Sequence, residues 1–159
     1  LYARTGRTSQ TIEIYEKALE RKPDQPRIHH FLGVLYEYGG KPEVAVKHYE
    51  EAIKLSPDLA ESKNNLAYLY AESGKNLDRA LDLAQDAKAL MPDDPNTADT
   101  LGWVLFRRGV PGAAIGYLKE AEAGVKPEDA TLEAALDFGP RRIRGGHVHH
   151  VHVENRSVW

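Results

Sequence analysis

Residues 31–58 read FLGVLYEYGGKPEVAVKHYEEAIKLSPD, and the fold follows from this stretch. From Ile28 to Tyr38, Leu32, Leu35 and Tyr36 recur at helical spacing, and Gly39-Gly40 then stops the pattern. Pro42 opens a second stretch at a first-turn position, where the missing N–H of proline has no helical partner to lose. Between Pro42 and Leu55, Ala45, Tyr49, Ala52 and Ile53 share one stripe, and Ser56-Pro57-Asp58 closes it. The spacing predicts two antiparallel helices joined by a short glycine turn.

The pattern returns along the chain. Pro23, Pro57, Pro92 and Pro127 are separated by 34, 35 and 35 residues, and an aspartate follows the first three. Gly6, Gly40, Gly74 and Gly109 are separated by 34, 34 and 35. Ala18, Ala52 and Ala87 each stand five residues before a proline, and Ala121 stands six before Pro127. Independent tracks with one shared period mark a repeat protein. Small residues recur where helices must approach closely: Gly33, Ala67 and Gly102 in the first helix of each pair, then Ala45, Ala80 and Ala114, and Ala52, Ala87 and Ala121, in the second. A larger side chain there would force the helices apart, at about 1–3 kcal/mol. The units run over 1–25 (incomplete), 26–59, 60–94 and 95–127. EDATLEAALDF (128–138) is a helix predicted to cover the end of the stack, and Gly139-Pro140 ends it.

Three segments, FLGVLYEYGG…AVKHYEEAIKLSPD (31–58), NLAYLYAESG…ALDLAQDAKALMPDD (65–94) and TLGWVLFRRG…AAIGYLKEAEAG (100–124), resemble tetratricopeptide repeats. The resemblance covers about residues 1–138. Departures are mild: Thr11 replaces an expected Ala, KNLDRA (75–80) carries one extra turn residue, and Gly124-Val125-Lys126 loosens the end of the fourth unit. NNLAYLYAESG followed by ADTLGWVLFRRG is similar to bacterial tandem-repeat proteins, some of them from envelope or exopolysaccharide-export systems. The resemblance implies an all-α fold, a right-handed α-solenoid of antiparallel helix pairs whose first helices line a concave groove. It implies a non-catalytic scaffold that binds a peptide or protein segment in that groove, with no cofactor.

By the same resemblance the groove-facing positions are Arg27, His30, Phe31, Val34, Glu37 and Tyr38, then Glu61, Asn64, Asn65, Tyr68 and Glu72 in the next unit. In the fourth unit they are Asn96, Asp99, Thr100, Trp103, Phe106 and Arg107. His30, Val34, Tyr38, Asn65, Tyr68, Glu72, Trp103 and Arg107 are the candidate partner-binding residues. Tyr68 and Trp103 occupy equivalent places and suit aromatic anchoring of a peptide; the alternative is that Trp103 and Phe106 pack between units. Asn65 can both donate to and accept from a peptide backbone. Of the pair His29-His30 only His30 faces the groove, where it would make binding pH-sensitive. Family members that hold a terminal carboxylate do so with a lysine, asparagine and arginine clamp, whose cations are missing here, so such a ligand is disfavoured.

Composition narrows the classes further. With 42% hydrophobic and 28% charged residues the chain of 159 residues has a globular balance. No run reaches the roughly 18 apolar residues a membrane span needs. Zero cysteines exclude disulfides and thiolate metal sites, and leave cytoplasm and bacterial periplasm equally open. A net charge of −3 gives no reason to expect nucleic acid. The chain begins Leu1-Tyr2, inside a repeat, and reads as a fragment whose apolar end favours self-association.

Residues 139–159 obey none of the repeat rules. They carry Arg141, Arg142, Arg144 and Arg156 against Glu154, hence +3, which leaves −6 on the remainder. His147, His149, His150 and His152 make this tail a candidate metal site, the alternative function for the chain. A regular strand would split them two to each face, so only a turned segment could gather three or four ligands. An exposed basic tail without metal, and an end that does not naturally continue the array, are the other readings. No catalytic motif is present: GxSxG, HExxH and GxxxxGK are all missing. Glu50-Glu51 and Asp93-Asp94 read as solvated pairs, and His48 as a surface or inter-helix residue rather than a base.

Overall fold

The computed structural model of the protein describes residues 2–124. Among the described residues there are seven helices and no strand: α1 (Tyr2–Arg21), α2 (Pro26–Tyr38), α3 (Pro42–Leu55), α4 (Ala60–Ser73), α5 (Leu77–Leu90), α6 (Pro95–Arg107) and α7 (Pro111–Gly124). The expected capping helix at 128–138 and the tail at 139–159 lie outside the described residues, and with them His147, His149, His150 and His152. None of the described helices is long and apolar enough to cross a membrane.

Helices pack as the pairs α2–α3, α4–α5 and α6–α7, and each pair stacks on the next through α3–α4, α4–α6 and α5–α6. The array is a helical-repeat solenoid. Pro26, Pro42, Pro95 and Pro111 each open a helix, which is the position their fixed φ suits. The turns within pairs place Gly40, Gly74 and Gly109 at φ of 72°, 68° and 78°, a conformation costly for any side chain with a Cβ. The extra residue in KNLDRA is absorbed by Asn76, which adopts φ 53° just ahead of α5; asparagine tolerates this region better than most residues.

Gly6 departs from its track. α1 runs unbroken from Tyr2 to Arg21, so no turn forms there. At the other three glycines a complete first helix precedes the turn and packs against the helix that follows it. A lone glycine inside a helix costs only about 1 kcal/mol.

The core follows the repeat. Leu32, Leu66 and Leu101, one period apart, are all buried, as are Ala45, Ala80 and Ala114 in the second helices. Across each pair the small first-helix residue matches the bulk opposite. A Cβ on Gly33 would come within 2.5 Å of Tyr49 Cε1, and one on Gly102 within 2.8 Å of Leu118 Cγ. One period on from Tyr49 stands Ala84, and that unit carries Ala67 in place of glycine. Close helix approach is thus conserved by exchanging volume between partners.

Candidate functional site

The three first helices α2, α4 and α6 enclose a concave cavity of about 250 Å³. α2 contributes His30, Val34, Glu37 and Tyr38; α4 contributes Glu61, Asn64, Asn65 and Tyr68. Asn96, Asp99 and Thr100 come from α6, with Met91 and Asp94 from the turn before it. These positions recur because helical residues three and four apart share a face, and the repeat sets equivalent faces side by side.

Five of the eight candidate residues, His30, Val34, Tyr38, Asn65 and Tyr68, line this cavity. Three do not. Glu72 is exposed beyond it, and its backbone carbonyl accepts from Arg107 Nη1 at 3.3 Å. Trp103 stacks on Phe106, ring centroids 5.6 Å apart, with the Arg107 guanidinium 5.6 Å from the indole. The indole is partly buried and packs against the hydrophobic core cluster that includes Leu101 and Val104. Phe31, also expected inward, stacks instead on Tyr15 of α1 at 6.1 Å and stays 46% exposed.

His30 is more enclosed than a groove contact needs. It is 9% exposed, and its Nδ1 lies 2.9 Å from Ser62 Oγ, which ties α2 to α4. Burial pushes its pKa below the ordinary histidine value, against the nearby Glu61 carboxylate, which raises it. The ring therefore sits neutral in the wall at pH 7.

Beneath the cavity runs a hydrogen-bond chain that sequence reading missed. Asn65 Nδ2 donates to Tyr49 Oη at 3.2 Å, and Tyr49 Oη donates to Glu37 Oε2 at 3.0 Å. Tyr49 is fully buried, and burial followed by the Glu37 charge drives its phenol pKa far up, so it remains a donor. One Asn65 N–H is thereby committed inside the wall, and ligand contact falls to the rest of that amide. Asp94, read from sequence as a solvated acid, is half-buried and caps α6: its Oδ1 accepts from the Asn96 backbone N–H at 2.9 Å. An aspartate directly before a helix-opening proline, Asp94-Pro95, was the available signal. Glu50 likewise accepts from Tyr70 Oη at 2.6 Å, while Glu51 pairs with Lys54 on the surface.

Away from the cavity, His48 is the inter-helix residue expected, stacked on Tyr36 with centroids 5.5 Å apart. Its Nδ1 is 3.1 Å from Nδ1 of His29. Among the described residues no three His, Cys, Asp or Glu side chains converge as a metal site.

The family model described as "Tetratricopeptide repeat" matches residues 1–58 and again 32–95. The chain belongs to the tetratricopeptide repeat family. Solved structures of similar fold include the "Crystal structure of MamA protein", 19% identical, covering 87% of this chain and 73% of that one with a TM-score of 0.65. A second MamA structure, "MamA AMB-1 P212121", is 22% identical over 77% of this chain and 72% of that one, TM-score 0.65. "YrrB: a TPR protein with an unusual peptide-binding site" is 18% identical over 85% of this chain and 69% of that one, TM-score 0.66. At these identities the likeness is one of tetratricopeptide fold. Comparison with curated protein sequences gives no match.

Proposed function

We propose that this tetratricopeptide array is a non-catalytic interaction scaffold that seats a peptide or protein segment against the concave face of α2, α4 and α6. The observation that carries the reading is the cavity itself: it is lined at equivalent repeat positions by aromatic, apolar and amide side chains, with Tyr38 and Tyr68 on neighbouring helices. Aromatic walls beside hydrogen-bonding amides suit an extended or helical segment, whose anchors contribute most of the affinity. Family membership supports a protein or peptide partner, and YrrB is a fold neighbour described as having a peptide-binding site. Tyr38, Asn65 and Tyr68 are the contact residues at the cavity; Trp103 and Arg107 extend the face beyond it.

Selection of a displayed random peptide library on the full chain tests the reading. Clones that bind should weaken by roughly tenfold or more on Tyr68→Ala, the loss expected for an anchor residue. The variant must keep the helical circular dichroism of the parent. Clones that hold Tyr68→Ala and Tyr38→Ala as tightly as the parent would move the binding surface elsewhere.

A further inference from the structure

We infer that the occupant of the concave cavity is cationic: a segment of a partner protein that presents lysine or arginine side chains. This rests on the reading of the cavity as a peptide site and names the chemistry of what enters it. Glu37, Glu61, Asp94 and Asp99 reach the cavity from α2, α4, the turn before α6, and α6, and among the described residues no lysine or arginine lines it. At the rim Arg27 pairs with Glu61 at 3.3 Å, with both side chains exposed, a pair weak enough to exchange for a ligand cation. Helix N-termini oppose the acids, but each counts for roughly half a charge. Three such ends together carry less charge than the four carboxylates that line the cavity.

A second, independent feature points the same way. Asn64 lines the same cavity, is 8% exposed, and its Oδ1 has no hydrogen-bond partner among the described residues. A buried acceptor without a donor is costly, and a donor-rich head group relieves it where a carboxylate would not. Asp94 spends Oδ1 on the α6 cap, which leaves Oδ2 for a ligand. Guanidinium and ammonium groups are pure donors, matching a lining rich in acceptors. Tyr38 and Tyr68 stand among these carboxylates, and an aromatic face beside anions is a favourable setting for a desolvated cation.

The test uses three pools of terminally blocked decapeptides with four fixed lysines, four fixed glutamines or four fixed glutamates, the other positions randomised. Each is passed over the immobilised full chain. The lysine pool should be retained, should elute as salt rises, and should lose about three- to tenfold in retention on a Glu61→Gln/Asp99→Asn variant. It should be lost on Tyr68→Ala. Retention of the glutamine or glutamate pool at least as strong, and lost on Tyr68→Ala, would overturn the cationic assignment while leaving the peptide site standing. Lysine peptides held equally by both variants would place binding on the outer acidic surface and overturn both. Retention of none of the pools would overturn both as well.

Discussion

At the scale of single residues, the seam between paired helices is set by volume exchanged across it. Gly102 faces Leu118 so closely that an added Cβ would lie 2.8 Å from Cγ, whereas the unit before solves the same seam with Ala67 and Ala84. Gly102→Ala alone should destabilise by about 1–3 kcal/mol through overpacking. Leu118→Ala alone should also destabilise, through lost burial. Together they recreate the alanine pair of the preceding unit, so the double variant should cost less than the sum by about 1 kcal/mol or more. Gly116 is the control, because a Cβ there meets nothing within 4 Å; Gly116→Ala should stabilise by about 0.5–1 kcal/mol. Urea denaturation followed by circular dichroism measures all four. Additivity of the first two would show that the seam yields without resistance.

At the scale of elements, helix borders were legible because proline and glycine punctuate them, and the buried tracks because they repeat. The expected small-residue positions and the Pro42–Leu55 helix stand as read. What repetition hides is contact between unlike positions, since a period reports equivalents rather than neighbours. Tyr49 meets Glu37 and Asn65 at separations of 12 and 16, and His29 meets His48 at 19, none near the period. These contacts fasten α2 to α3 and α4. His29 Nε2 lies 3.2 Å from the Pro23 carbonyl and donates to it, so its Nδ1 accepts from the Nδ1–H of His48. Burial lowers the pKa of both His30 and His48; at His48 the neighbouring His29 lowers it further, and Glu16 raises it. The unfolded chain therefore binds more protons than the folded one below the ordinary histidine value of about 6.5. Stability is full above that pH and is lost as pH falls toward the lowered folded values. Thermal denaturation between pH 8 and 5 should show this decline, and His30→Gln/His48→Gln should flatten it. A decline of unchanged slope in the double variant would assign it to other groups.

At the scale of the whole molecule, a solenoid is held by neighbours only, so its weakest element is the one with the fewest seams. α4 packs on α3, α5 and α6, and Arg108 of the turn after α6 reaches back to Asp78 of α5 at 2.6 Å. Lys88 of α5 also pairs with Glu120 of α7, which adds a tie between units. Among the described residues α1 packs mainly on α2, through the Tyr15–Phe31 stack and the bond from Tyr36 Oη to Glu16. Ile14 on that helix is 65% exposed, and surface hydrogen bonds such as that of Glu16 contribute little. Amide hydrogen exchange should therefore find α1 opening first, on the order of 2 kcal/mol below the protection of α3 through α6. Concentration separates two reasons for any protection α1 does have. Packing within one chain is indifferent to dilution, whereas cover supplied by a second copy over Ile14 and Phe31 fades as the protein is diluted. Protection in α1 equal to that of α4 at every concentration would mean that the first helix belongs to the cooperative core, and that the seam with α2 is far stronger than its contacts imply.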